Sequence, residues 1–257
     1  MIEQSGAPSH DIPENITAEF EADAIVFDKD GTLLDFDAFW VPVSEAAVGK
    51  TLATLGASDI TAAVVLSAFG VTDGVTDVDG ILCHGTYRQM AEVMHAVLCE
   101  RGFAAEIERV ESILVSAYTK CMSAGAIKPT CRDLAKALEK LKSRGKKLAV
   151  VTTDKPDITL DCLRKLEIEH LFDAIYTDDG AFPPKPSPTS LFDFCNRHGI
   201  LPERTVMVGD SMTDVRFAKN AGAVAVILAT SERRIEMFSD KADAVISSIS
   251  ALSELVR

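Results

Sequence analysis

The chain has 257 residues, 47% of them hydrophobic and 25% charged, which is typical of a soluble globular protein that forms one large domain or two smaller ones. A formal net charge of -13 at pH 7 argues against nucleic acid or an anionic membrane surface as a partner. The six cysteines are widely spaced and include no C-x-x-C pair, which argues against a disulfide framework and against a zinc site.

The first 21 residues are predicted to be a polar lead-in that contains Pro8 and Pro13. They lack the basic start and apolar core of a signal peptide. No apolar run in the sequence approaches the length of a membrane span. We therefore expect a cytoplasmic protein that makes no contact with a membrane.

The first predicted strand is the apolar run Ala24–Phe27, of the kind that is buried on both faces of a parallel sheet. Asp28 follows it directly, and Asp30 comes two positions later. Carboxylates at the carboxyl end of a strand lie where open α/β sheets carry their chemistry. Gly31 allows a sharp turn that brings backbone N–H groups close to a bound anion.

A long helical region is predicted next, because its apolar residues recur at helical spacing without strand alternation. The predicted helices span residues 44–55, 60–69, 90–98 and 107–122. Between the second and third lies a loop rich in Gly and Asp. Its acids Asp73, Asp77 and Asp79 do not have EF-hand spacing, and no Glu closes the loop, so a solvated turn is predicted.

From Ile127 onwards the pattern alternates between helices and strands. Helices are predicted at 131–144, capped by Thr130, and at 158–166, 190–198, 214–221 and the C-terminus. Strands are predicted at 147–151, 174–177, 205–208, 224–228 and 244–246. This alternation indicates βαβ units and a parallel sheet with right-handed crossovers.

Four segments resemble, in order, the four motifs of the haloacid dehalogenase (HAD) superfamily. The run D-K-D-G-T-L-L at residues 28–34 matches the first motif, and Thr152, after an apolar strand, fits the second. Lys185 in P-P-K-P-S-P fits the third, in a form that resembles the phosphoglycolate phosphatase and β-phosphoglucomutase subfamily. Asp210 and Asp214 in G-D-S-M-T-D fit the fourth.

The resemblance covers residues 22–36 and 126–257. It implies an α/β fold, with a Rossmann-like parallel-sheet core over these residues. It also implies a small all-helical cap domain of the C1 type, inserted after the first strand at residues 37–125.

The resemblance further implies a magnesium-dependent phosphatase that hydrolyses a small phosphorylated metabolite through an aspartyl-phosphate. Asp28 is then the nucleophile, and Asp30 protonates the leaving alcohol and later activates water. Mg²⁺ is held by Asp28, the backbone carbonyl of Asp30 and Asp210, and Asp214 orients a metal-bound water. The residues implied in phosphate binding are Gly31, Thr152, Thr153 and Lys185.

Substrate choice is predicted to lie in the linker residues Asp35, Phe36 and Trp40 and in Arg88 of the cap, where G-T-Y-R resembles a Gly-x-x-Arg cap loop. If Arg88 faces the site, it favours a substrate that carries a second anionic group. In the alternative interpretation, Arg88 is an exposed residue in the first turn of a cap helix.

Three other functions remain open on the sequence. A β-phosphoglucomutase-like phosphomutase uses the same motifs, although residues 99–119 offer no cap lysine. A phospho-accepting signalling protein has its acids in a different order and no cap, and a non-catalytic binding protein is hard to reconcile with intact motifs. Dehalogenases do not need Asp30 or the paired acids of the fourth motif, so the presence of these acids argues against a dehalogenase.

We expect a monomer or a homodimer.

Overall fold

The structure is a computed structural model, and it describes residues 19–257. The predicted lead-in falls outside the described residues, except for its last three positions. Two compact units are present: Leu34–Lys128, called the insert below, and the core unit, which takes the described residues up to Leu33 and Pro129–Arg257. Within residues 19–257, no helix is long and apolar enough to cross a lipid bilayer.

The core unit is built on a six-stranded parallel sheet in the order β5-β4-β1-β6-β7-β8. The strands are β1 (Ala24–Phe27), β2 (Val71–Thr72), β3 (Val75–Thr76), β4 (Lys147–Val151), β5 (Ala174–Tyr176), β6 (Thr205–Gly209), β7 (Val224–Leu228) and β8 (Ala244–Ile246), of which β2 and β3 belong to the insert. Phe27, the last residue of β1, is in register with Val150 of β4 and Val208 of β6. The predicted α/β fold class is confirmed.

Helices cover both faces of this sheet, which explains why β1 is apolar at every position. The helices are α1 (Phe36–Leu55), α2 (Ala62–Ala68), α3 (Ile81–His84), α4 (Tyr87–Glu100), α5 (Ile107–Cys121), α6 (Leu134–Ser143), α7 (Pro156–Lys165), α8 (Thr189–His198), α9 (Met212–Ala221), α10 (Glu232–Phe238) and α11 (Leu252–Leu255). One core cluster joins Ile25 and Phe27 of β1 to α6, α7 and α11. The other joins Ala24 and Val26 to α8, α9 and α10.

The order of the strands creates a switch point beside β1. The chain moves from β1 to β4 and β5 on one side, and then returns to β6 on the other side of β1. Open α/β sheets bind ligands outside the carboxyl ends of the strands at such a point. The residues that follow β1 and β6 are therefore the first place to look for a site.

The insert contains helices α1 to α5 and, unlike the predicted all-helical cap, a short antiparallel hairpin of β2 and β3. Asp73 and Gly74 form its turn, with φ of 51° and 79°. Positive φ at both central residues defines the tight hairpin turn that Asp-Gly favours. The predicted solvated loop therefore contains a strand pair, and V-T-D-G-V-T carried the signal for it.

Helix α1 begins at Phe36, although the sequence predicted a start at residue 44. Pro42 lies inside the helix and lacks the N–H that would bond to the carbonyl of Ala38. That carbonyl instead accepts a hydrogen bond from the N–H of Ala126 at 3.0 Å. The helix therefore passes through the proline without leaving a backbone acceptor unpaired.

Helix α6 begins at Leu134, so the predicted cap at Thr130 is wrong. The hydroxyl of Thr130 instead donates to the backbone oxygen of Thr32 at 2.5 Å. The backbone N–H of Thr130 donates to the oxygen of Leu33 at 3.2 Å. A long-range contact within the core unit has replaced the local cap.

Candidate active site

Three carboxylates meet at the switch point. Asp28 directly follows β1, Asp210 directly follows β6, and Asp214 lies in the first turn of α9. One oxygen from each lies within 4.8 Å of the others. Since β1 and β6 are in register, the residues that follow them emerge side by side.

Lys185 places a positive charge between two of these acids. Its ammonium donates to Oδ1 of Asp28 and to Oδ1 of Asp214, each at 2.7 Å, and its side chain is 5% exposed. The loop that carries it is tied to α9, because the side-chain amide of Asn220 donates to the oxygen of Pro186 at 2.9 Å. A buried ammonium with two carboxylate partners is held firmly in one position.

The position of Asp214 follows from the local sequence S-M-T-D. Ser211 caps α9, and Asp214 completes a capping box with it. Oδ2 of Asp214 accepts from the hydroxyl of Ser211 at 2.6 Å and from its backbone N–H at 3.1 Å. Oδ1 is thereby directed to Lys185, so the cap that starts the helix also orients this acid in the site.

Burial and the neighbouring carboxylates raise the pKa values of two acids in the triad. Burial, reinforced by the charges of Asp214 and Asp210, raises the pKa of Asp28 to about 8 despite the neighbouring Lys185. Burial also raises the pKa of Asp210 to about 6. Burial by itself would lower the pKa of Lys185, but the carboxylates of Asp214 and Asp28 raise it. The site therefore has more negative charge than its lysine can offset.

Gly31 makes the close approach of the first turn to β6 possible. Its φ is +73°, and a Cβ placed on it would lie 2.3 Å from Oδ2 of Asp210. An L-amino acid with a side chain would meet both backbone strain and a direct clash at this position. Asp210 therefore occupies the space that a side chain on residue 31 would fill.

A second cluster lies beside the first motif and centres on Lys29. Its side chain is fully buried, and its ammonium lies 2.7 Å from Oδ2 of Asp30 and 3.0 Å from Oδ2 of Asp154. The ammonium also donates to Oδ1 of Asp30 at 2.7 Å. Although burial acts to lower it, the charges of Asp30 and Asp154 raise the pKa of Lys29.

Arg234 of α10 holds Asp210 from outside the triad. Its Nη2 donates to Oδ2 of Asp210 at 3.0 Å and also to the backbone oxygen of the same residue. Ser231 caps this short helix and accepts from the backbone N–H of Arg234 at 3.4 Å. A single guanidinium thus fixes both the side chain and the main chain of Asp210.

The sequence profile of the haloacid dehalogenase-like hydrolases matches residues 22–222. The chain belongs to this family. The HAD-like chain is 32% identical over 204 residues to the phosphoglycolate phosphatase of Neisseria meningitidis serogroup A, with 79% of this chain and 78% of that protein covered. It is 28% identical over 243 residues to the phosphoglycolate phosphatase of Nitrosospira multiformis, with 91% and 95% covered.

Solved structures share the fold. The chain superposes on a protein from Haemophilus somnus, described as a predicted phosphoglycolate phosphatase, with a TM-score of 0.65, 20% identity and coverage of 91% and 97%. It superposes on a Thermotoga maritima protein, proposed to be a β-phosphoglucomutase, with a TM-score of 0.63, 20% identity and coverage of 90% and 97%. The predicted subfamily is confirmed, and the chain is a HAD-like phosphatase.

The triad has the donor set of a magnesium site. Its three carboxylates supply hard oxygen ligands, which Mg²⁺ prefers, and their oxygens are close enough to share one ion. Lys185 and Arg234 are the cations seen against the triad, and the pKa values of Asp28 and Asp210 remain raised beside them. The residues therefore fit a divalent cation.

The two predicted phosphate-binding threonines follow β4 and differ in exposure. Thr152 is nearly buried, and its hydroxyl accepts from the N–H of Asp154 at 3.2 Å, whereas Thr153 is exposed. The phosphate contacts of Thr152, Thr153 and Gly31 stay predictions.

Of the predicted linker residues, Phe36 and Trp40 lie in α1 and Asp35 directly precedes it. Asp35 caps the helix by accepting from the N–H of Ala38 at 3.0 Å. The ring of Trp40 lies 6.4 Å from that of Phe36 and 5.2 Å from that of Phe39, measured between centroids. Each residue therefore has a structural contact within the insert, and its role in specificity stays a prediction.

Arg88 lies in the first turn of α4 and is 41% exposed. Its guanidinium contacts the carboxylates of Glu111 at 2.8 Å, Glu92 at 3.2 Å and Glu108 at 3.6 Å. These contacts match the alternative interpretation of Arg88 as a helix-surface residue. The charge of the guanidinium is thus already offset by three carboxylates.

Sequence reasoning missed Lys29, Asp154 and Arg234. The sequence indicated Lys29 and Asp154 only weakly, since Lys29 lies inside the first motif and Asp154 lies two residues after Thr152. Arg234 had none, because it lies in a seven-residue helix that the sequence pattern did not predict.

Proposed function

We propose that this protein hydrolyses the monoester of a small phosphorylated hydroxy acid, of the phosphoglycolate type, with Mg²⁺ and through an aspartyl-phosphate on Asp28. The observation that carries the proposal is the meeting of Asp28, Asp210 and Asp214 around the ammonium of Lys185. A partly buried carboxylate beside a fixed cation, at the switch point of the sheet, is suited to attack phosphorus.

In the first step, an oxygen of Asp28 forms a bond to phosphorus while the bond to the ester oxygen breaks. Asp30 gives its proton to that oxygen, so the product leaves as a neutral alcohol. Lys185 offsets negative charge on the phosphoryl group. Thr152, Thr153 and nearby backbone N–H groups bind the phosphoryl oxygens that Lys185 does not contact.

In the second step, a water oxygen forms a bond to phosphorus while the bond to Asp28 breaks. The proton of that water passes to Asp30, which restores the starting state. Because Asp30 is positioned to act in both steps, the aspartyl-phosphate is expected to be short-lived.

Mg²⁺ would be held by Asp28, Asp210 and the backbone carbonyl of Asp30, with Asp214 beside these ligands. When bound, it would supply positive charge that reduces the repulsion of the anionic nucleophile and the phosphate. Asp28 attacks only as the carboxylate. Burial raises its pKa and the Lys185 ammonium lowers it, so positive charge beside Asp28 favours the form that attacks.

The similarity to phosphoglycolate phosphatases supports a substrate whose leaving group carries a second anion. The specificity would then come from the insert, with Arg88, Asp35, Phe36 and Trp40 as the candidates. A cytoplasmic location and a monomeric or homodimeric state stay predictions.

The experiment is phosphate release from a panel of phosphorylated hydroxy acids and sugar phosphates, with Mg²⁺ and with a chelator. We expect hydrolysis of 2-phosphoglycolate that stops on chelation and returns when Mg²⁺ is added. Asp28→Asn should lower turnover at least about 10⁴-fold, because no covalent intermediate can form.

The matched control is Asp23→Asn, which changes an acid just before the opposite end of β1. Asp23 accepts from Arg204 at 2.8 Å, far along the strand from the triad, and its loss should leave turnover unchanged. Near-normal turnover by Asp28→Asn would contradict the covalent route. Isomerisation of a sugar phosphate without phosphate release would favour the mutase, and a phosphorylated protein that never turns over would favour the phospho-accepting alternative.

A further inference from the structure

Lys29, which contacts Asp30 and Asp154, is the most unusual side chain near the site. Lys29 has no exposed surface, although lysine is among the residue types least often buried. A buried ammonium without partners costs several kcal/mol, so its position depends on its carboxylate contacts.

Those contacts link two of the strand-end loops. Lys29 and Asp30 follow β1, whereas Asp154 follows β4, the next strand in the sheet. The ammonium contacts both oxygens of Asp30, and it reaches Asp154 at 3.0 Å. The N–H of Asp154 in turn donates to the hydroxyl of Thr152, the predicted phosphate ligand.

This arrangement constrains Asp30 in a particular way. Its side chain is 17% exposed, and both of its carboxylate oxygens contact the buried ammonium of Lys29. Turning Asp30 away would leave the buried charge with Asp154 as its remaining acidic contact among those observed. The cost of that movement restricts where the carboxylate can lie.

We propose that Lys29, itself held by Asp154, is a positioning residue that fixes the carboxylate of Asp30 for proton transfer in phosphate-ester hydrolysis. The inference rests on the proposed function, in which Asp30 gives a proton to the ester oxygen and then takes one from water. Proton transfer requires the carboxylate of Asp30 to lie within hydrogen-bond reach of the ester oxygen in the first step and of the water oxygen in the second. A displacement of about 1 Å can lower the rate 10²-fold.

The test compares two esters with different demands on Asp30. The alcohol of 2-phosphoglycolate needs a proton to leave, whereas p-nitrophenolate leaves p-nitrophenyl phosphate without one. In Lys29→Met, we expect kcat on 2-phosphoglycolate to fall about 10²–10³-fold, with KM changed less than about threefold.

On p-nitrophenyl phosphate, the same variant should release a rapid burst of p-nitrophenolate. The first step needs no proton from Asp30, but the second still needs it to activate water, so the phosphorylated protein accumulates. The burst should approach one equivalent per protein and exceed that of wild type. Asp30→Asn serves as the reference for this pattern.

Two further variants and one control separate positioning from folding. Lys29→Arg keeps the charge and should recover part of the lost kcat, and Asp154→Asn should give a weaker form of the same pattern. Lys142→Met removes a lysine that lies 2.7 Å from Asp173, also in the core unit but away from the motifs, and should change neither kcat nor the burst. Urea denaturation of each variant verifies that the fold is kept.

The outcomes are distinct. If Lys29→Met loses activity equally on both esters without a burst, or keeps wild-type kcat, the inference is wrong. If Lys29→Met does not fold, Asp154→Asn decides by the same criteria. If wild type hydrolyses neither ester, the proposed function fails and the inference fails with it.

Discussion

Gly31→Ala tests the packing of the first motif against Asp210. A methyl group on residue 31 would lie 2.3 Å from Oδ2 of Asp210 and 2.5 Å from its Cγ, on a backbone with φ of +73°. The positive φ costs an alanine about 1–2 kcal/mol. To relieve the clash, Asp210 must turn away from Arg234 and lose a charged hydrogen bond of 3.0 Å, which costs about 1.5–3 kcal/mol more.

The matched control is Gly222→Ala at the end of α9. Gly222 has φ of +75°, but nothing lies within 4 Å of the position its Cβ would take. Gly222→Ala should therefore lower the free energy of unfolding by the backbone cost alone, about 1–2 kcal/mol. Gly31→Ala should lower the free energy of unfolding by about 2.5–5 kcal/mol in total.

Urea denaturation measures both losses, and magnesium-dependent phosphate release measures the site. A displaced Asp210 should lower kcat/KM of Gly31→Ala by about 10²-fold or more, whereas Gly222→Ala should keep wild-type kinetics. Equal stability losses in the two variants, with activity retained in both, would refute the close approach as the reason for a glycine at residue 31.

Two further predictions concern the insert and the far side of the core unit. If the second anion of the substrate displaces one of the three glutamates on Arg88, Arg88→Ala should raise KM for 2-phosphoglycolate about tenfold and leave KM for phenyl phosphate unchanged. Equal KM values before and after would remove Arg88 from the site and agree with its contacts on the helix surface. Asp173→Asn should lower the free energy of unfolding by about 1–3 kcal/mol at pH 7. Burial acts to raise the pKa of Asp173, but hydrogen bonds from Lys142, Leu148 and Lys147 lower it to about 2. The stabilisation is therefore present above the ordinary pKa and is lost as the pH falls towards 2, so urea denaturation at pH 7 and at acid pH should show the two proteins converging. A constant difference at every pH would contradict it.

The local pattern was enough to predict most strands because β1 and its neighbours are apolar at nearly every position. The starts of helices were harder to predict. The start of α1 at Phe36 depends on Pro42 being tolerated, and that depends on a hydrogen bond from Ala126, far along the chain. Thr130 looked like a cap in sequence, but its hydroxyl bonds to Thr32 instead.

The sequence by itself determined that the three acids lie at the carboxyl ends of the strands. Asp28 and Asp210 each directly follow a strand, and parallel strands present their carboxyl ends along one edge. The pairing of β1 with β6 in the folded sheet then brings the two acids together. Asp214 was equally fixed, because a capping box is a local interaction within one turn of helix.

Only the tertiary structure decided where Lys29 and Arg234 make their ion pairs. Lys29 is fully buried because Asp154, on a loop more than a hundred residues later, supplies a carboxylate for its ammonium. Arg234 reaches Asp210 from a short helix with no strong pattern of its own. The partner of a long charged side chain depends on which loops meet in space, and local sequence patterns do not encode that meeting.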